Sequence, residues 1–263
     1  MSSGFILYDV RAGVAAITLN RPDVLNSCNL EMARQLQGAL DDAEGDPAVR
    51  AILITGAGRA FCAGQDLASV SLDDPAGLPD LGDYVRDQWN PIIRRLRSIE
   101  KPIVAAVNGV AAGAGANLAL ACDIVLAATS ASFIQAFSKI GIIPDSGGTF
   151  FLPRLVGFAR ATALTFLGDK VSATQARDWG MIWQVHPPEE LAGAARALAE
   201  SLATQPTRGL GLTKRALNAS LSNDVNGQLE AEEAIQREAG KTDDFVEGVK
   251  SFLEKRKPEF VGR

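Results

Sequence analysis

Two mostly apolar, β-rich runs near the start of the chain predict a β-hairpin. Two β-rich runs, Phe5 to Val10 and Val14 to Leu19, flank a short connection that contains Gly13. Strand-forming runs joined by a short glycine-containing segment are typical of hairpins. Arg21-Pro22 follows the second run, and proline cannot continue a strand ladder. We therefore expect the second strand to end before Arg21.

After the hairpin, predicted helices alternate with predicted strands. Apolar residues recur at helical spacing from Asn29 to Glu44, with Asn29 in a position typical of an N-cap. A strand is predicted over Arg50 to Thr55, and a helix over Gly82 to Ser98 leads into a strand over Ile103 to Val107. This order favours an α/β fold in which helices connect neighbouring strands.

The second half of the chain becomes predominantly helical. Ser172 and Gln175 have the spacing of a capping box, which predicts a helix from Ala173 to Gly180, and a short strand is predicted over Ile182 to Val185. Four later segments carry helical spacing and predict an appended helical layer: Glu189 to Thr204, Thr207 to Leu221, Asn226 to Ala239, and Asp243 to Lys257. The segment Leu72 to Gly82 is rich in Asp, Pro and Gly, and we interpret it as a loop at the rim of a site.

Composition narrows the function classes. The 263 residues fit one large domain, and a net charge of −5 argues against a nucleic-acid binder, which needs clustered Lys and Arg. The three cysteines have no CxxC spacing, so we expect neither a disulfide framework nor a zinc site. The apolar stretch Pro102 to Ala128 is interrupted by polar residues and reads as buried core, not as a membrane span. The N-terminus resembles no secretion signal, so we expect cytoplasmic localisation.

Two glycine-containing turns follow apolar strands, at 56–67 (GAGRAFCAGQDL) and at 108–117 (NGVAAGAGAN). Small residues let a ligand approach the backbone closely, and free amides there attract an oxyanion or a phosphate. Tight packing between a strand and a helix explains either turn equally well. A dinucleotide-binding fingerprint fits poorly, because the second turn reads GxGxxL. The acid that such a fingerprint has about 20 residues further on is also missing, since that position falls near Gln135.

A lone carboxylate, Asp145, lies between a strongly apolar run and Gly147-Gly148. One interpretation makes it the N-cap of a helix that begins near Gly147. The other makes it a general base whose pKa is raised by an apolar pocket. Local sequence leaves both open. The only histidine, His186, precedes two prolines, so neither a catalytic triad nor a multi-histidine metal site is indicated.

Taken together, these stretches resemble the crotonase (enoyl-CoA hydratase/isomerase) superfamily. Within it, LNRPDVLNS (19–27), GAGRAFCAGQDL (56–67), NGVAAGAGANLAL (108–120) and AFSKIGIIPDSGGTFFLPRL (136–155) are similar to the bacterial ring-1,2-epoxyphenylacetyl-CoA isomerases of phenylacetate degradation. The resemblance implies a core of repeated ββα units forming a spiral over residues 1–200. It also implies a C-terminal helical trimerisation region over 201–263, and assembly as homotrimers or dimers of trimers.

The resemblance also implies a site. The thioester carbonyl oxygen of an acyl-CoA would lie between the backbone N–H groups of Gln65 and Ala114, with Asp145 as the single catalytic acid. Hydratases of the superfamily use two glutamates to activate water, and the matching positions here are Asn117 and Phe137, which disfavours hydration. The residues expected to contact substrate are Val24, Leu25, Ala63, Gly64, Asp66, Gly113, Asn117 and Phe137.

The implied activity is isomerisation of acyl-CoA thioesters. The expected reactions are conversion of ring-1,2-epoxyphenylacetyl-CoA to oxepin-CoA and shifts of double bonds in unsaturated acyl-CoA. The alternatives are a Δ3,Δ2-enoyl-CoA isomerase of fatty-acid oxidation, an enoyl-CoA hydratase, and a non-catalytic CoA-binding protein. We expect no metal and no cofactor, since coenzyme A is part of the substrate, and no nucleic-acid or membrane partner.

Overall fold

The computed structural model describes residues 4–70 and 79–263, so most of the predicted rim loop (72–82) lies outside the described residues. Strands and helices follow in the order β1 Ile6–Arg11, β2 Val14–Leu19, α1 Leu30–Gly45, β3 Ala51–Gly56, β4 Ala60–Cys62, α2 Leu81–Tyr84, a π-helical turn Val85–Trp89, α3 Asn90–Ser98, β5 Ile103–Val107, β6 Val110–Ala112, α4 Ala114–Leu120, β7 Ile124–Ala128, β8 Ser132–Ile134, α5 Gly148–Val156, α6 Phe158–Leu167, β9 Lys170–Ser172, α7 Ala173–Asp178, β10 Gln184–His186, α8 Pro188–Ala203, α9 Thr207–Ser220, α10 Val225–Ala239 and α11 Asp243–Glu254.

The main sheet has six strands in the order β1-β2-β3-β5-β7-β10, and only the first pair is antiparallel. The hairpin and the crossover helices predicted from sequence are therefore confirmed. Ile17 of β2 pairs with Ile54 of β3, which pairs with Ala105 of β5. All three side chains are fully buried, as is typical of parallel strands covered on both faces.

A second sheet of four short strands, β4-β6-β8-β9, lies at the carboxyl ends of the main strands. Each of β3, β5 and β7 is followed by one of its strands and then by helical structure, so the chain repeats a ββα unit. This arrangement confirms the α/β class and the ββα repeat that the resemblance implies. It also places the two glycine-containing turns side by side.

The C-terminal helices cover the core and are tied to it by polar contacts. Ala195 and Ala199 of α8 are fully buried. Arg50, at the start of β3, donates to the carbonyl oxygens of Phe260 at 2.8 Å and Gln205 at 2.6 Å. The predicted helical layer is confirmed, whereas its role in trimerisation stays a prediction.

The predicted helix caps are present in the structure, and the last predicted strand is shifted along the chain. The capping box of Ser172 and Gln175 is present, and Asn29 caps α1 by accepting from the Met32 amide. The strand predicted over 182–185 lies two residues later, at Gln184–His186. All three cysteines are free and buried. Across residues 4–70 and 79–263, no helix is both long and apolar enough to cross a bilayer.

Candidate active site

A cavity of about 460 Å³ lies where the turn after β4, the segment α2 to the π-helical turn, the start of α4 and the loop before α5 meet. Apolar side chains form most of its wall. Among the described lining residues, Asp145 is the only acid and Lys139 the only base. The lining residues are Ala63, Gly64, Gln65, Leu67, Val70, Leu81, Tyr84, Val85, Trp89, Gly113, Ala114, Ala136, Phe137, Lys139, Ile140, Ile142 and Asp145.

The two glycine-containing turns meet at Gly64. Its φ is +91°, and a Cβ at this position would lie 2.8 Å from the carbonyl oxygen of Ala112 and 3.3 Å from the amide nitrogen of Ala114. Only glycine fits this close approach without displacing backbone. The turn after β4 therefore lies directly against the turn that precedes α4.

Gln65 and Ala114 line the cavity, and their backbone amides have no backbone partner within the described residues. Cys28 donates to the carbonyl of Gly64 at 2.7 Å and accepts from the amide of Asp66 at 2.9 Å. In this parallel bridge the intervening N–H of Gln65 points away from Cys28. Ala114 is the first residue of α4, where the N–H has no intrahelical acceptor. Within the described residues, no backbone acceptor is found for either amide.

The side chain of Gln65 is fixed by Trp89. The indole Nε1 of Trp89 donates to Gln65 Oε1 at 2.8 Å, and Trp89 is almost completely buried. The sequence predicts the helix that carries Trp89, but not that Val85–Trp89 forms a π-helical turn within it. Trp89, like Tyr84 and Lys139 of the same cavity, is therefore a site residue that sequence reasoning missed.

Asp145 is half-buried, and its carboxylate is not a helix cap. Helix α5 begins at Gly148 with Gly147 as its N-cap, and no side chain caps it. The interpretation of Asp145 as an N-cap is therefore wrong. Instead, Ser146 Oγ donates to Asp145 Oδ1 at 2.8 Å. Burial raises the pKa of Asp145 above its usual value, and the hydrogen bond from Ser146 opposes that shift only in part.

The two positions that hold glutamates in hydratases have different surroundings. Phe137 lines the cavity, and its ring lies 3.8 Å from where a Cβ of Gly113 would be. Asn117 is fully buried and is not among the lining residues. Its amide nitrogen donates to the backbone oxygen of Asp145 at 2.8 Å. The placement of Asn117 thus argues against the predicted contact with substrate.

The remaining predicted substrate contacts divide into two groups. Ala63, Gly64 and Gly113 line the cavity, but Val24, Leu25 and Asp66 do not. The carbonyl oxygen of Leu25 accepts from the amide of Ala63 at 3.0 Å, which sets the loop of Val24 and Leu25 against the cavity wall. Asp66 forms an ion pair with Arg21 at 2.8 Å and accepts from the amide of Ala68. A substrate contact of these three residues stays a prediction.

Comparisons with known proteins agree with this architecture. The family model described as enoyl-CoA hydratase/isomerase matches residues 9–263. The chain is 54% identical over 259 residues to the 1,2-epoxyphenylacetyl-CoA isomerase of Escherichia coli K12, covering 98% of this chain and 99% of that protein. It is 46% identical over 263 residues to a Rhodobacter capsulatus protein named "Probable enoyl-CoA hydratase", covering all of both chains.

Among solved structures, a Mycobacterium abscessus protein described as an enoyl-CoA hydratase/isomerase superposes with a TM-score of 0.92 at 41% identity. The match covers 98% of this chain and all of that one. Matches that span both chains at such identity establish common descent as well as a common fold. The chain therefore belongs to the enoyl-CoA hydratase/isomerase family, the crotonase superfamily that its motifs resemble.

Proposed function

We propose that the protein is an acyl-CoA isomerase that uses one carboxylate, Asp145, and an oxyanion hole made by the amides of Gln65 and Ala114. The observation that carries the proposal is the cavity itself. Its mostly apolar wall brings together Gln65 and Ala114, whose amides have no backbone partner within the described residues, and Asp145, the only acid among the described lining residues. Such a site suits the movement of a proton within a bound thioester.

The chemistry follows from the two amides. If the thioester oxygen accepts from both N–H groups, negative charge that develops on it in an enolate-like transition state is stabilised, and one such donor contributes about 3 kcal/mol. The carbon next to the carbonyl then becomes more acidic. Asp145 can take a proton from one carbon and return it to another. Its raised pKa makes the carboxylate a stronger base at neutral pH.

Hydration is disfavoured by the same geometry. Holding and activating a water molecule with two glutamates requires both carboxylates in the cavity. Here residue 137 is a phenylalanine whose ring belongs to the cavity wall, and the side-chain amide of residue 117 is hydrogen-bonded to the backbone oxygen of Asp145. The second candidate function, enoyl-CoA hydration, rests on the name of the R. capsulatus relative. The residues at these positions argue against it.

For the substrate, we propose ring-1,2-epoxyphenylacetyl-CoA, converted to oxepin-CoA, with double-bond shifts in unsaturated acyl-CoA as a second reaction. Two observations support this choice. The E. coli relative at 54% identity is a 1,2-epoxyphenylacetyl-CoA isomerase. The cavity also carries three aromatic side chains, Tyr84, Trp89 and Phe137, which can pack against a ring. A fatty-acyl Δ3,Δ2-enoyl-CoA isomerase is the alternative within the same chemistry.

We propose no resident cofactor, because coenzyme A enters as part of the substrate. Assembly into homotrimers or dimers of trimers is also a proposal. It is supported by large apolar side chains that stay exposed on α6, such as Phe158 at 81% and Phe166 at 75%. Light scattering on the purified protein measures the assembly directly, and a monomer at micromolar concentration would contradict it.

The test of the proposed function compares products. Purified protein is given a 3-enoyl-CoA, a 2-enoyl-CoA and ring-1,2-epoxyphenylacetyl-CoA, and each product is identified by mass and by absorbance. We expect double-bond migration and oxepin-CoA formation, with hydration of the 2-enoyl-CoA slower by at least about a hundredfold, the contribution typical of a missing acid or base. Hydration as fast as isomerisation would refute the proposal.

A further inference from the structure

Two buried amide side chains lie behind Asp145 and connect it to the second sheet. Gln135, which follows β8, donates from Nε2 to Asn117 Oδ1 at 2.9 Å. Asn117, in α4, donates from Nδ2 to the backbone oxygen of Asp145 at 2.8 Å. Asn117 is 0% exposed and Gln135 is 2% exposed. We call these two residues the amide relay.

We propose that Asn117, held by Gln135, is the positioning residue that sets the place of the Asp145 carboxylate in the cavity. This inference rests on the proposed function, since it concerns how the base of that reaction is oriented. It gives a role to the position at which hydratases carry a glutamate. In this chain that side chain faces a loop carbonyl on the protein side, and no part of it lines the cavity.

The direction of the amide relay is fixed by hydrogen-bonding capacity. The backbone oxygen of Asp145 only accepts, so the NH₂ group of Asn117 must face it. The oxygen of Asn117 then faces Gln135, whose NH₂ group must donate to it. Rotating either amide by 180° would bring two acceptors or two donors together. Each amide therefore has one orientation.

The amide relay has an energetic cost that packing alone does not explain. Gln135 Oε1 is buried and has no partner among the described residues. Leaving a buried acceptor unpaired costs about 1–3 kcal/mol. Apolar side chains of similar size at both positions would avoid this cost. What they would not supply is a directional bond that holds the carbonyl of residue 145.

The segment that receives this bond is strained and needs to be held. Ser146 has a φ of +51° and Gly147 a φ of +75°. A left-handed conformation at a residue other than glycine costs about 1–3 kcal/mol and persists only where the surroundings enforce it. A Cβ on Gly148 would lie 2.3 Å from Asn117 Nδ2, so the bond between Asn117 and residue 145 requires glycine at 148.

The consequence for catalysis is positional. The carbonyl that Asn117 holds and the carboxylate that acts as the base belong to the same residue, so a rotation of this peptide unit moves the base. A displacement of about 1 Å can lower a rate by about a hundredfold. Burial is what raises the pKa of Asp145, and among the described lining residues the other charged group is Lys139. A loosened turn that admits water would lower that pKa.

The test uses Asn117→Leu, which removes the amide but keeps the number and branching of the side-chain heavy atoms, with Asn218→Leu as the matched control. Asn218 Nδ2 also donates to a backbone carbonyl, that of Arg97 at 2.9 Å, but Arg97, unlike Asp145, does not line the cavity. For Asn117→Leu we expect kcat to fall at least about tenfold with KM changed less than about twofold. We also expect the acid limb of kcat against pH to move to lower pH. Asn218→Leu should leave both unchanged.

Gln135→Met provides a second, milder variant, because it keeps the bond from Asn117 to Asp145 and removes only its support. Its kcat and the acid limb of its pH profile should lie between those of wild type and Asn117→Leu, and this variant tests the proposal if Asn117→Leu does not fold. If whichever of the two variants folds has an unchanged kcat and an unchanged acid limb, the proposed positioning role of the amide relay is refuted. Asp145→Asn, measured in parallel, separates the two hypotheses. Full turnover by Asp145→Asn would refute the proposed function. Loss of turnover in Asp145→Asn together with full activity of Asn117→Leu would refute only the positioning role of the amide relay.

Discussion

Replacing Gly64 by alanine should disable the proposed oxyanion hole while leaving the fold intact. The added Cβ would lie 2.8 Å from the carbonyl oxygen of Ala112 and 3.3 Å from the amide of Ala114. Both partners are backbone, so one of the two turns has to move. If the amide of Gln65 or Ala114 is displaced, the loss of one donor corresponds to about a 10²- to 10³-fold decrease in kcat.

The matched control is Gly157→Ala. Gly157 has a φ of +80°, and a Cβ there has no neighbour within 4 Å. Both substitutions force alanine into a left-handed backbone, at a cost of about 1–3 kcal/mol, and each kcal/mol lowers the Tm of a domain of about 250 residues by about 2–4 °C. Only Gly64→Ala adds the collision with the second turn.

The assay compares steady-state isomerisation of a 3-enoyl-CoA with thermal unfolding for the two variants. Both variants should have a lower Tm, and Gly64→Ala should lose at least as many degrees as Gly157→Ala because of the added collision, but only Gly64→Ala should lose kcat. Equal activity of the two variants would mean that the close contact of the turns does not position the catalytic amides. The same result would remove the structural basis for an oxyanion hole at Gln65 and Ala114.

Three further predictions concern buried ionisable groups. Because folding raises the pKa of Asp145, the folded protein loses stability as this carboxyl group ionises, that is, as the pH rises above the usual value of 3.8. Asp145→Asn should therefore have a higher Tm than wild type at pH 7 and an equal Tm at a pH below 3.8. A lower Tm of the variant at pH 7 would contradict the burial argument. Ser146→Ala removes a hydrogen bond that lowers the pKa of Asp145, so the acid limb of kcat/KM should move to higher pH, opposite to Asn117→Leu; no shift would show that Ser146 does not bond to the working carboxylate. Burial raises the pKa of the three thiols, for Cys62 and Cys122 to about 12, so Cys28, Cys62 and Cys122 should resist a thiol reagent at pH 8 until the protein unfolds, and rapid labelling of the native protein would disagree.

Long periodic segments of this fold could be predicted from sequence. The strands Val14–Leu19 and Ile103–Val107 occur with the predicted boundaries, and Asn29 caps the helix it was expected to cap. The second sheet could not be predicted in the same way. Its strands, such as Ala60–Cys62 and Val110–Ala112, have three residues each. A run so short carries no periodicity, and its pairing is fixed by contacts distant in sequence.

The sequence predicts the parts of the candidate site whose backbone lies in a glycine motif. It does not predict side-chain directions that are set by contacts in the folded protein. Gln65 and Ala114 follow glycines whose spacing is visible in the sequence. Trp89, which donates to Gln65, lies in a π-helical turn that helical periodicity does not reveal. For Asn117, the sequence shows an amide where hydratases have a carboxylate, but not that it turns away from the cavity toward residue 145. That direction depends on Gly148, which leaves room for it.

We propose that Asp145 is the base. The most direct measurement is turnover of a 3-enoyl-CoA by wild type and by Asp145→Asn, with affinity for a CoA thioester measured in parallel by calorimetry. We expect the variant to bind the thioester as wild type does and its kcat to fall about 10²- to 10⁴-fold, the usual contribution of general acid–base catalysis. Equal turnover by the two proteins would refute the role of Asp145 as base and assign the proton transfer to another group.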